Sequence, residues 1–260
     1  MDLLDKLNVL KQIDINCDLG EVLLSSGFNI DAELIPYVSS CNISTGGHAG
    51  DEETMKHAML FAKKHNVAVG AHPSYPDREN FGRRSLDMPS EELYDSLYEQ
   101  VFRFIKVAEY LGVNVHHVKP HGALYNDMVK DREKAEIVIS LIKEIDPHLQ
   151  LYGLANSGIE NLAAKENITF RHEVFADRAY ENVHALRNRK LNGSVISDIR
   201  LIEKQLSKVL LDGVIRLYDD TLVPTKADTI CVHSDTENCK EILKKITAYL
   251  KHNNIHVSPT

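Results

Sequence analysis

Lys119-Pro120-His121-Gly122 places two titratable side chains where a buried strand around Val113 and Val115 must end. Pro and Gly let the backbone turn sharply at that tip. The same chemistry recurs along the chain. Asn16, Asp18 and Glu21 follow a first apolar strand, Asn42 and His48 a second, and His72 a third. Asn156 and Ser157 follow the fifth, Asp177 and Arg178 the sixth, and His233 the seventh. Any one of these is ordinary, because loops are solvated. Ionisable groups at nearly every strand end are what one shared active site would require.

Carboxylates, a lysine and imidazoles crowded into a partly dry mouth acquire divergent pKa values, which suits proton transfer. Asp18, His48 and His72 also have the donor types of a zinc or manganese site. No His-Glu-x-x-His or comparable pair occurs, so no metal site is assigned from the pattern. Glu173 stands mid-strand beside Val174 and Phe175, where an inward carboxylate needs a partner. It either braces Lys119 or Arg178 or sits at an exposed, irregular edge. Arg83 and Arg84 are a short basic pair that either clamps a carboxylate or phosphate or is a solvated loop. The glycines of Thr45-Gly46-Gly47-His48 read as a tight turn before a helix whose acidic first turn would oppose a phosphate. There is no Walker loop.

The elements that carry these tips alternate. Strands are expected at Ile13–Cys17, Val38–Ile43, Val67–Ala71, Val113–Val115, Leu149–Leu154, Ile168–Phe175 and Thr229–Val232. Helices are expected at Asp31–Tyr37 with Asp31 as cap, Asp51–Lys64, Ser90–Leu111 capped by Ser90, and Asp131–Ile145. Three more follow at Ile159–Lys165, Ile196–Leu211 and Thr236–Leu250. Such alternation predicts a parallel sheet, with strands apolar on both faces beneath their helices. Polar chemistry after almost every strand favours a closed parallel (β/α) barrel over an open doubly wound sheet, because a barrel gathers all tips at one mouth. No linker divides residues 1–260, which read as a single barrel domain.

Composition narrows the partners. A net charge of −8 argues against nucleic acid. No apolar run approaches the length of a membrane span, and the N-terminal stretch MDLLDKLNVLKQIDIN lacks a basic signal region. Four cysteines without a C-x-x-C pair fit a reduced, cytoplasmic protein.

IDINCDLGE, CNISTGGHAGD, GAHPSYPDRENFGRR, HVKPHGALYND, EVFADRAY and TICVHSD occur in this order from Ile13 to Asp235. In these blocks the chain resembles the LamB/YcsF family, described as the A subunit of bacterial 5-oxoprolinase. The resemblance implies a seven-stranded barrel related to glycoside hydrolases and polysaccharide deacetylases. It also implies ATP-dependent opening of 5-oxoproline to L-glutamate, with ATP accompanied by Mg2+ and with B and C partner subunits. On that basis Asp18, Lys119, His121 and Asp177 are the expected catalytic residues. Asn16, Glu21, Asn42, His48, His72, Arg83, Arg84, Tyr125, Glu173, Arg178 and His233 are expected to bind substrate or nucleotide. The chain departs from the family at Thr45 and Gly47, where Cys and Phe are usual, so a bulky wall is expected to be missing beside His48. It departs again at Ser234, where Gly is usual. Two rival readings stay open: a metal-dependent, deacetylase-like amide or carbohydrate hydrolase, and a binding or scaffold subunit.

Overall fold

The computed structural model describes residues 12–26 and 30–259. Residues 1–11, and with them most of the N-terminal stretch read for a signal, lie outside the described residues.

The chain runs β1 (Gln12–Leu19), α1 (Ile30–Leu34), β2 (Ser40–Ser44), α2 (Glu52–Lys64), β3 (Ala68–His72) and α3 (Ser90–Leu111). It continues with β4 (Val115–Val118), α4 (Gly122–Lys130), α5 (Arg132–Ile145), β5 (Gln150–Leu154), α6 (Ile159–Lys165) and β6 (Phe170–Phe175). A hairpin of β7 (Tyr180–Asn182) and β8 (Ala185–Leu186) follows, then α7 (Ile199–Asp212) and a second hairpin, β9 (Val214–Arg216) with β10 (Leu222–Pro224). The described chain ends with β11 (Thr229–Val232), α8 (Cys239–His252) and β12 (His256–Val257). Strands β1 to β6 pair in order, all parallel, and β11 pairs with both β6 and β1. The result is a closed seven-stranded parallel barrel ringed by helices, the architecture expected from the alternation. The short β12 adds to the start of β1.

Local chemistry sets the boundaries. Asp51 caps α2 through a capping box with Thr54, and Glu52, Glu53, Lys63 and Lys64 complement the helix dipole. Gly112 ends α3 in the left-handed conformation. Two expected caps are corrected. Ser90 is the first residue of α3, with Pro89 at the cap position, and its hydroxyl goes to Glu133. Asp31 lies inside α1, buried, and accepts the Gly20 amide at 2.9 Å. The extra helix α4 begins directly after the Lys119 tip. Its first residue, Gly122, has φ +57°, and a Cβ there would lie 2.5 Å from the Gly82 carbonyl oxygen.

The expectation of strands apolar on both faces holds only outside the barrel. Ile13, Ile15, Cys17 and Leu19 on β1 join the apolar core shared with the helices. Their alternates Asp14, Asn16 and Asp18 bond to side chains of other barrel strands, so the interior is polar. In the lowest layer Asp14 accepts hydrogen bonds from the hydroxyls of Ser39, Ser40, Tyr152 and Thr229. Beside it the His117 ring stacks on Tyr152 and reaches Asn42 Oδ1 at 2.7 Å. His117 covers Gly70 so closely that a Cβ at Gly70 would lie 2.1 Å from its ring. A wider residue at position 70 would displace this stack.

Candidate active site

Six of the seven barrel strands raise one layer of this polar interior toward the mouth. From β1 come Asn16 and Asp18, from β2 Asn42, from β3 His72, from the end of β4 Lys119, from β6 Glu173 and from β11 Cys231. Lys119 is their centre. Its Nζ lies 3.0 Å from Asp18 Oδ1, 3.0 Å from Glu173 Oε1, 3.2 Å from Asn16 Oδ1 and 3.1 Å from Cys231 Sγ. Asn16 donates to Glu173 and Thr229, and Asn42 donates to Asn16 and Asp18, which fixes the carboxylates from below. Glu173 is fully buried and braces Lys119; the Arg178 alternative is not what the geometry shows.

Burial disfavours both charges, yet the pair stays ionised. For Lys119, desolvation is outweighed by Asp18, Cys231 and Glu173, which hold the ammonium well above its ordinary pKa. For Asp18, desolvation is outweighed by His72 and Lys119, which hold the carboxyl well below. Asp18 is therefore held as a carboxylate.

Beside this pair, three imidazoles and Glu21 converge. His72 Nε2 lies 3.4 Å from Asp18 Oδ2 and 3.0 Å from His121 Nδ1. His48 stacks flat on His121, with centroids 3.7 Å apart, and its Nε2 lies 3.1 Å from Glu21 Oε1. Burial lowers the His48 pKa against the pull of Glu21, and burial with the neighbouring rings lowers that of His121 much further. Among the described residues, His48, His72 and His121 with Glu21 form one group able to converge on a metal ion; Asp18, Cys231 and His233 form another. Asp18, His48 and His72, the set read from sequence, are thus divided between two groups.

Above Asp18 and Lys119 opens a cavity of about 480 Å³. Asp18, His72, Lys119 and His121 line its floor, while Tyr125, Phe175 and His233 line its wall. Asn16, Asn42 and Glu173 support the floor from beneath without lining the cavity, and Glu21 and His48 stand behind it. Burial, and then the Glu173 carboxylate through its charge and a side-chain hydrogen bond, raise the Tyr125 hydroxyl well above its ordinary pKa. Asp177 is turned away from the cavity. It accepts from the His233 amide, His233 Nδ1 and the Thr236 hydroxyl. Desolvation opposes its charge, but His233 and Thr236 outweigh it and hold the carboxyl at about 2. Its place is to orient His233.

The rim is basic. Arg83 pairs with Asp235, which also holds Arg189 at 3.1 Å, while Arg187 and the nine-tenths-buried Arg178 complete the lining. Arg178 is committed to the carbonyls of Ser194 and Arg187 and so shapes the loop after β8. Arg84 is exposed and outside the lining, so the expected arginine pair reduces to Arg83. Gly47 also departs from expectation: a Cβ there would meet Gln100 and Ser74, so the missing bulk concerns packing against α3 and not the cavity wall. Sequence reasoning missed Arg187 and Arg189, which the β7–β8 hairpin carries to the rim. The basic run Arg187-Asn188-Arg189-Lys190 was the available signal. It also missed Cys231, which resembles an apolar strand residue.

A closed parallel barrel with a buried ion pair at the carboxyl ends of its strands defines a (β/α) barrel protein whose candidate site lies at the barrel mouth. The match to the LamB/YcsF family spans residues 13–260, and the chain belongs to that family. A relative from Staphylococcus aureus (strain bovine RF122 / ET3-1), named as the A subunit of 5-oxoprolinase, is 40% identical over 246 residues, 95% of this chain and 98% of its own. The structure also matches the lactam utilization protein of Thermus thermophilus, with TM-score 0.88, 34% identity, and coverage of 96% and 100%. A GH113 β-1,4-mannanase, with TM-score 0.53 and 10% identity, covering 94% of this chain and 99% of its own, shares the fold alone.

Proposed function

We propose that this chain is the A subunit of an ATP-dependent 5-oxoprolinase, which opens 5-oxo-L-proline to L-glutamate together with B and C subunits. The observation that carries the reading is the near end-to-end similarity to the Staphylococcus aureus relative of that name. The site is chemically compatible. A five-membered lactam is a stable amide, and phosphoryl transfer to its oxygen makes the ring carbon electrophilic. Lys119 has its charge offset by Asp18 and Glu173, so it serves best by holding both carboxylates in place and keeping Asp18 ionised. Asp18 on the cavity floor then takes the proton of an attacking water and passes it to the ring nitrogen as the C–N bond breaks, and hydrolysis of the resulting acyl phosphate frees phosphate. The rim arginines Arg83, Arg187 and Arg189 supply positive charge for a carboxylate or for phosphates, and they are the residues that would hold ATP with its Mg2+ near the ring.

The test is glutamate and phosphate release from 5-oxoproline, with and without ATP and with and without the partner subunits. Release that requires ATP and the partners supports the reading. Amide hydrolysis without nucleotide would overturn it in favour of a deacetylase-like hydrolase. If calorimetry found no binding of 5-oxoproline or ATP to the isolated chain, and Asp18→Asn left the assembled activity unchanged, the chain would be a scaffold.

A further inference from the structure

Two hydrogen bonds to carbonyl oxygens determine how the imidazoles beside Asp18 must be protonated. His72 Nδ1 lies 2.6 Å from the Lys119 carbonyl oxygen, and His121 Nε2 lies 2.9 Å from that of Phe81. A carbonyl only accepts, so both of these nitrogens carry hydrogen. In neutral rings His72 Nε2 and His121 Nδ1 then carry lone pairs, and those two atoms face each other at 3.0 Å. Lone pairs at that distance repel unless a cation lies between them, either a metal ion or the proton of a charged His72. Glu21 Oε1 faces the same point, 3.6 Å from His121 Nδ1 and 3.1 Å from His48 Nε2.

We propose that Glu21, His48, His72 and His121 form a binding site for a divalent transition-metal ion of the zinc type. All four donor atoms lie within 4.8 Å of one another. Ligands ~2.05 Å from a tetrahedral zinc stand about 3.3 Å apart. The separations of 3.0, 3.1 and 3.6 Å bracket that value. Three imidazoles and one carboxylate are also the donor types such an ion selects. The carbonyl partners of His72 and His121 are the outer contacts that fix the tautomer of a ligating histidine. Phe81 packs edge-on against both His48 and His121 and shields that side of the site. Because His72 and His121 also line the cavity, the ion would sit at its floor, beside Asp18. The site does not depend on the reaction proposed above.

The experiment is zinc titration of the full, chelator-stripped chain against a chromophoric chelator, with cobalt(II) as a spectroscopic substitute. One zinc per chain and the visible bands of four-coordinate cobalt are expected. His121→Gln should weaken zinc binding by at least ~100-fold, more than loss of an outer contact typically costs. Circular dichroism would establish that the variant is folded, and His252→Gln on α8 serves as a control that keeps full affinity. A folded, stripped chain that takes up no stoichiometric zinc would overturn the proposal and leave a proton shared by His72 and His121. Zinc binding unchanged in His121→Gln but abolished in Cys231→Ser would overturn it too, moving the ion to Asp18, Cys231 and His233.

Discussion

The barrel interior holds two polar layers that are buried alike but built on different partners. In the lower one, Asp14 is surrounded by four hydroxyls, every donor aimed at it. In the upper one, Asp18 faces an ammonium and an imidazole. Burial raises the Asp14 pKa and the four hydroxyls do not reverse it. The same burial acts on Asp18, yet His72 and Lys119 drive it well below the usual carboxylate range. Around Asp14 the hydroxyl dipoles satisfy geometry without overcoming burial, whereas opposite charge beside Asp18 does overcome it. The lower layer therefore reads as a structural plug, and the upper layer, which opens onto the cavity through Asp18 and Lys119, as chemistry held ready.

The sharpest way to break this division is to remove the charge at the centre of the upper layer. Lys119→Met should reduce glutamate release by the assembled enzyme by ~10³-fold or more. It should also cost stability, on the order of 3–5 kcal/mol, because two buried carboxylates lose their cation. Denaturant unfolding beside the activity assay separates the two effects. Near-normal turnover would remove Lys119 from the site. Asp14→Ala is the counterpart in the lower layer. It should destabilise by a similar ~3–5 kcal/mol, leaving four buried hydroxyls without their acceptor, while kcat/KM per folded molecule stays within about threefold. A large loss of kcat/KM in stably folded protein would mean the two layers are not separate.

What the sequence made legible follows from the same distinction. The strand tips were readable because Lys119, His121, His72 and Asp18 sit where strands must stop, and charge there has no structural explanation. The lower layer was hidden. Asp14, Ser40, Tyr152 and Thr229 come from four strands, and nothing local says that they share one acceptor. The alternation Asp14-Asn16-Asp18 did carry the information, but it was masked by the complementary apolar run Ile13-Ile15-Cys17. Helix α4 was missed because Gly122 and Pro120 read as loop, and Gly122 is needed there for close approach to Gly82. Arg187 and Arg189 of the rim were missed because they reach the cavity from a short hairpin with little periodicity.

Asp177 tests whether a cationic partner also matters outside the floor. Its carboxyl, held at about 2 against an ordinary 3.8, favours the folded state above pH ~3.8 and loses that contribution as pH falls toward 2. Asp177→Asn should lower stability at pH 7 by about 2 kcal/mol and flatten the acid limb of the stability profile between those values. Because the carboxylate orients His233, kcat should fall by ~10–100-fold with KM little changed. An unchanged acid limb would show that His233 does not hold the charge.

Asp31 gives the smallest and opposite effect. Among the described residues it is buried in α1 with one amide donor, from Gly20, and no cation; burial and then Glu21 push its pKa up to about 6. The folded state therefore binds this proton more tightly than the unfolded chain. Stability is fullest below pH ~3.8, declines as pH rises to about 6, and is level above that. Asp31→Asn keeps an acceptor for the Gly20 amide and removes the charge. The variant should be more stable than the parent by ~1–3 kcal/mol at pH 7.5, a rise of roughly 3–8 °C in Tm for a chain of this size. At pH 4 the two should coincide. Equal stability at both values would mean that the Asp31 charge finds a partner the lower layer lacks, and the contrast between dipoles and charges would no longer account for this third carboxylate.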